Sequence, residues 1–150
     1  MQFSSLSDSN IKRSFAEAVV EGLAPDKGLY FPNRIPELPE EFWLSTEDKN
    51  SWDIGAEMLT PYTEGCLTKD ELLEILRDVL NFPIPLHEIE SGVFSLELFH
   101  GPTSAFKDVG ARFMSRVLSR ISNSRLTILV ATSGDTGSAV ANGFLGVPNI

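Results

Sequence analysis

The chain has 150 residues, 42% of them hydrophobic, and a net charge of −9, enough material for one ordinary domain with a packed core rather than disorder. The acidic balance argues against a nucleic-acid partner, which needs a basic footprint, and the single cysteine, Cys66, rules out a disulfide framework or a cysteine-based metal site. No apolar run approaches ~18 residues and the N-terminus lacks a basic-then-apolar secretory pattern, so a soluble, cytoplasmic protein with no membrane partner is expected.

In chain order, the first helical signal runs from Asp8 to about Gly22. Ser7, Asp8 and Ser9 are available caps, and Ile11, Phe15, Ala18 and Val19 recur at helical spacing. Lys27 to Pro32 reads as a short extended segment between turn formers, and Pro32 to Glu41 as a surface connection. Ser51 to Leu59 is a short helix with Trp52, Gly55, Ala56 and Leu59 inward. The clearest helix spans Thr68 to Leu80, where Thr68 and Glu71 have capping-box spacing and Leu72, Leu73, Leu76, Val79 and Leu80 form the apolar face. Asn81-Phe82-Pro83-Ile84-Pro85 stops it and serves as a linker. The expected organisation is therefore a mainly helical unit over 1–85, followed by an α/β unit from 86 to 150.

In that second unit a strand (93–99) leads to a helix (about 108–122), a strand (126–131) and a further helix (about 136–145). Leu126 to Ala131 is almost uniformly apolar, as a strand buried on both faces should be. The alternation predicts a parallel sheet with crossover helices. Gly146 to Ile150 reads as the approach to another strand, and the chain is read as incomplete there. Arg112, Arg116 and Arg120 share one face of the 108–122 helix and are expected to be a solvated face.

Chemistry concentrates where the 93–99 strand gives way to that helix. Gly101-Pro102 breaks the strand, and Lys107 stands at the helix start between Phe106 and Asp108, a good first-turn acid. A positive charge there opposes the helix macrodipole. Imine-forming lysines react through the neutral amine, so the position suits one without proving it. A solvated lysine at a helix start is the plain structural alternative. His100, on the turn, either orients Lys107 or bonds to backbone; His87 is read as structural or solvated, and Glu97 has no assigned role. Thr132 to Ser138, after the apolar strand, opens the last helix with converging N–H groups that welcome an anion. A simple helix cap explains the same residues equally well. The loop lacks the endings of a P-loop and the glycine spacing of a dinucleotide fingerprint.

The segment Leu98-Phe99-His100-Gly101-Pro102-Thr103-Ser104-Ala105-Phe106-Lys107-Asp108 closely resembles the lysine segment of the threonine synthase family, pyridoxal-phosphate enzymes. The likeness continues through Gly110-Ala111-Arg112-Phe113-Met114 and returns at Ala131-Thr132-Ser133-Gly134-Asp135-Thr136-Gly137-Ser138-Ala139. It also takes in Ser14 to Val19 and Gly28 to Pro32, and so covers nearly the whole chain. Asp135 stands where related dehydratase-type enzymes carry Asn, which favours the threonine synthases. The resemblance implies the fold shared with tryptophan synthase β-subunits, and a chain that is the N-terminal fragment of a longer one. It implies that Lys107 carries pyridoxal 5′-phosphate as an imine, that Phe106 and Asp135 contact this cofactor, and that Thr103, Ser133, Gly134, Asp135 and Thr136 bind substrate. The implied reaction is O-phospho-L-homoserine plus water to L-threonine plus phosphate. Residues for the cofactor phosphate and ring nitrogen are expected beyond Ile150. Two other readings stay open: a pyridoxal-phosphate phospho-lyase giving a keto acid, and a non-catalytic binding module.

Overall fold

The computed structural model describes residues 1–132 and 134–150. They form an α/β arrangement that divides into two compact units, Met1–Leu76 and Arg77–Ile150.

The first unit opens with β1 (Gln2–Ser5), which pairs antiparallel with β2 (Lys12–Ser14) on one side and β3 (Tyr30–Pro32) on the other. The helix expected from Asp8 begins only at Phe15: α1 is Phe15–Glu21. Local chemistry explains the difference. Asp8 uses its carboxylate on the backbone N–H of Asn10, forming a turn, and the residues after it are drawn into the sheet, with Lys12 opposite Ser4 and Arg13 opposite Phe3. Ser14 and Glu17 then cap α1 reciprocally, a stronger start than the isolated caps upstream. Gly28 lies against Ser5, where a Cβ would come within 2.0 Å of its Oγ, so a side chain there would displace the Ser5 hydroxyl from Asp26.

After α2 (Glu40–Leu44) and a short 3₁₀ turn at Thr46–Asp48, α3 runs Ser51–Thr63. It passes the expected end at Leu59 and includes Pro61; Thr60 donates its hydroxyl to the Ala56 carbonyl at 2.6 Å on the way. The next helix, α4 (Lys69–Val79), starts as its capping box predicts, with Thr68 and Glu71 exchanging hydrogen bonds. Ala56, Leu72, Ile75 and Leu76 are buried, and Gly55 faces Leu76. This apolar stripe is the unit's core.

The second unit departs from the expected parallel sheet. β4 (Leu86–Glu90) and β5 (Val93–Leu96) form an antiparallel hairpin, turning at Gly92 (φ 79°). Both sheets among the described residues are antiparallel. Residues 126–131 form no strand; Leu126 N–H donates to the Asn149 carbonyl at 2.8 Å, and Leu129 is 89% exposed. A parallel strand exists only through its neighbours, and among the described residues none lies alongside it. The helices follow expectation: α5 is Lys107–Ile121 and α6 is Asp135–Phe144. They pack closely through Gly143, where a Cβ would sit 3.0 Å from the Ala111 carbonyl carbon.

The arginine face of α5 is not wholly solvated. Arg112 is buried, donating to the Asp78 carbonyl at 2.5 Å, and Arg116 reaches the Asp78 carboxylate at 2.6 Å. A helix face with three arginines looks solvent-facing in one dimension. Here Asp78, on the last turn of α4, supplies partners that the helical period does not reveal. Among the described residues no helix is long and apolar enough to cross a membrane, and no group of His, Cys, Asp or Glu is placed to hold a metal ion.

Candidate functional site

Lys107 is the first residue of α5. The turn before it is tightly specified. Ser104 N–H donates to the Gly101 carbonyl at 3.1 Å, and Asp108 N–H to the Ala105 carbonyl at 3.0 Å. Ala105 is buried. Ser104 has φ 56°, a left-handed conformation that costs a residue with a Cβ about 1–2 kcal/mol. Asp108 has no exposed surface and turns its carboxylate backwards: it accepts from Thr103 N–H at 2.8 Å and Thr103 Oγ1 at 2.6 Å. Asp108 is in the first turn of the helix as expected, and its side chain serves the turn five residues earlier.

The Lys107 side chain is about one-third exposed, with Nζ 4.5 Å from the Phe106 ring centroid and 3.9 Å from Asp135 Oδ2. That ion pair links the first turn of α5 to the first turn of α6. At this distance and exposure it contributes at most about 1 kcal/mol. Gly134 begins α6 with φ 105° and ψ −140°, reachable in practice only without a Cβ. The first N–H groups of α6 have no partner within the helix by construction, giving this end a positive potential beside the lysine.

Between α5 and α6 lies a cavity of ≈ 420 Å³, lined by Phe106, Lys107, Gly110, Ala111, Met114, Thr136, Val140 and Phe144. Its size falls within the ~300–1,000 Å³ of small-molecule sites. Its wall is apolar, with one amine and one threonine. Of the expected site residues, Lys107, Phe106, Asp135 and Thr136 therefore come together here, with Gly134 adjacent in sequence. Thr103 is on the preceding turn with its hydroxyl committed to Asp108, and Ser133 lies outside the described residues. Gly110, Ala111 and Met114 line the cavity without having been singled out. Their spacing from Lys107 along one helix face was the available signal.

His100 pairs through Nε2 with Glu97 Oε2 at 2.7 Å and stacks on Phe99, with ring centroids 4.7 Å apart. Glu97, left without a role by the sequence, thus has a partner three residues on.

The geometry defines a class: an α/β site with a lysine at the start of one helix, facing an apolar cavity and the glycine-opened start of another. Comparison with known proteins agrees. Residues 2–79 match the family described as "Threonine synthase N terminus". Over its whole length the chain is 43% identical to threonine synthase of Escherichia coli (strain K12), covering 35% of that protein. A crystal structure of threonine synthase from Escherichia coli superposes with TM-score 0.91 and 42% identity, over 99% of this chain and 35% of the other. An X-ray crystal structure of PLP-bound threonine synthase from Brucella melitensis superposes with TM-score 0.93 and 34% identity, over 99% and 34% respectively. The chain belongs to the threonine synthase family through its N-terminal region. It spans about a third of the length of the curated relatives it matches.

Proposed function

We propose that this chain contributes the lysine-bearing part of a cytoplasmic threonine synthase, an enzyme converting O-phospho-L-homoserine and water to L-threonine and phosphate by a β,γ-replacement. The observation that carries the reading is Lys107 at the rim of the apolar cavity, 3.9 Å from Asp135, within a chain 43% identical to a threonine synthase. In a longer polypeptide, residues 86–150 would form the start of the cofactor-binding α/β domain and 1–85 its helical N-terminal unit. A parallel sheet there would take 126–131 as one strand.

The residues present fit pyridoxal 5′-phosphate. The cavity has room and an apolar wall for an aromatic ring, and one amine opens onto it. Lys107 would hold the cofactor through that amine as a Schiff base. Bound there, the cofactor supplies an electron sink for negative charge developing on the substrate carbons.

The chain's own residues supply the rest. The Lys107 amine, at the rim of the cavity, would carry protons to and from those carbons. Phe106, Met114, Val140 and Phe144 would give the reacting centre an apolar wall. Gly134, Asp135 and Thr136, with Ser133, orient the carboxylate end of the substrate at the start of α6, where free N–H groups favour an anion. Asp135 would contact the cofactor, and Thr103 would join the substrate-binding set from the turn only as an acceptor, because its hydroxyl proton is held by Asp108.

Borohydride reduction with pyridoxal phosphate, followed by peptide mapping of the longer gene product, tests the reading. A pyridoxyl group is expected on Lys107, and none after Lys107→Ala. An adduct on another lysine would overturn the assignment of Lys107. Formation of a keto acid instead of threonine from O-phosphohomoserine would overturn the reaction.

A further inference from the structure

The mechanism leaves one group beside the lysine unused. Asp108 is fully buried, yet it caps nothing in its own helix: both of its hydrogen bonds go back to Thr103. Burying a carboxylate is costly unless its lone pairs are occupied, so this arrangement is specific. It closes a loop of backbone around Lys107. On one side the Ser104 N–H to Gly101 bond and the buried Ala105 fix the approach. On the other the Asp108 N–H to Ala105 bond fixes the helix start. Gly101 is packed so tightly on this carboxylate that a Cβ there would lie 2.6 Å from Asp108 Oδ2 and 3.1 Å from the Phe82 ring. Ser104 is held left-handed between these constraints; such backbone persists where the surroundings over-determine it.

We infer that Asp108 is a positioning residue for Lys107, acting through Thr103: the Asp108–Thr103 pair locks the 101–106 turn so that the Lys107 amine is presented at the cavity in one backbone setting. The inference rests on the proposed role of Lys107 as the reactive amine. It also assigns the Thr103 hydroxyl proton to Asp108 rather than to a ligand. Preorganisation of this kind lowers the ordering needed when the amine reacts.

The test uses the longer gene product, free of cofactor, with Thr103→Val, Thr103→Ser, Asp108→Asn and the Thr103→Val/Asp108→Asn double variant. Two readouts are followed against pH, with Lys27 as internal reference: trapping of Lys107 by pyridoxal phosphate and borohydride, and acetylation of Lys107 by acetic anhydride. Thr103→Val and Asp108→Asn are each expected to slow trapping about tenfold, a part of the ~100-fold that a 1 Å misplacement can cost. Both should displace the pH profile of Lys107 acetylation and leave Lys27 unchanged. Thr103→Ser, which keeps the hydroxyl, should restore the original rate and profile. The double variant should be no slower than Asp108→Asn alone, because the two residues act as one unit.

An unchanged rate and profile in Thr103→Val, no recovery in Thr103→Ser, or additive losses in the double variant would each overturn the inference. If Asp108→Asn does not fold, the Thr103→Val and Thr103→Ser pair decides alone. If the unsubstituted protein takes up no pyridoxal phosphate on Lys107, the proposed function fails. The acetylation profiles then still decide whether the clamp governs the lysine.

Discussion

The two units handle charge differently. In Met1–Leu76 the ion pairs sit at the surface: Arg13 with Glu21, Lys69 with Glu57, and the Glu17 and Glu71 carboxylates in capping boxes. In Arg77–Ile150 two charged side chains, Asp108 and Arg112, are buried, and Ser115 is buried with them. Surface pairs are worth about 0–1 kcal/mol each and can be exchanged cheaply. A buried charge costs several kcal/mol unless its partners are in place. The second unit accepts that cost on a single helix, within five residues of Lys107. Its polar interior is devoted to holding α5 in place, whereas the first unit's polar groups mostly finish its helices.

The largest break in this contrast should come at the α5–α6 contact. In Gly143→Val the new side chain meets the Ala111 and Arg112 backbone at 3.0–3.1 Å, which cannot swing aside. The Gly143 carbonyl also accepts from Ser115 Oγ at 2.6 Å and from Arg116. A loss of about 3 kcal/mol is expected, read as a lowered denaturation midpoint together with loss of pyridoxal phosphate uptake. Gly65→Ala in the first unit is the counterpart. It has φ 78° but open space around it, so only backbone strain of about 1 kcal/mol should appear.

Next in size is Asp78→Ala. It removes the carboxylate partner of Arg116 and the weaker 3.5 Å contact of Arg112, but leaves Arg112 its bond to the Asp78 carbonyl. Because that carboxylate is about half exposed, the expected loss is about 1–2 kcal/mol. Glu57→Ala, at the exposed Lys69 pair of the first unit, should cost no more than about 0.5 kcal/mol. Equal losses in the two variants, measured by denaturant unfolding, would erase the distinction between the units.

The same contrast explains what could be read from sequence. Helices with local signals were legible: Thr68 and Glu71 are three residues apart, and their hydrogen bonds mark the start of α4 as expected. Lys107 at a helix start was legible because strand, breaker and period change are all local; that this end faces the start of α6 was not. Pairing was not. Nothing in Val93 to Leu96 says that its neighbour is Leu86 to Glu90, although the alternation Leu86-His87-Glu88-Ile89-Glu90 before Ser91-Gly92 was a hairpin signal. The apolar 126–131 run suggested a strand, but strand state depends on partners distant in sequence. Arg112 was expected to be solvated and the burial of Asp108 was not foreseen, for a related reason: charged residues are usually exposed, and their exceptions are set by tertiary contacts such as Asp78 and Gly101.

The smallest effect should lie in the surface charges of the first unit, and pH resolves it. Glu21 accepts from the Tyr30 hydroxyl and from Arg13, and these bonds hold its carboxyl below the usual range. Its contribution to stability is therefore complete above the ordinary carboxyl pKa and is lost as pH falls through the lowered folded-state value. Tyr30 is shifted the other way, raised by desolvation and then by the same bond to Glu21. Its contribution is complete below the ordinary phenol pKa and is lost as pH rises through the raised value. Tyr30→Phe should thus act at both ends. The Glu21 carboxyl should titrate at higher pH by NMR, and the alkaline loss due to this phenol should disappear. At neutral pH the stability change should be small, because the bond is exposed to solvent and screened. A Glu21 titration unmoved by Tyr30→Phe would leave Arg13 as the group that holds it.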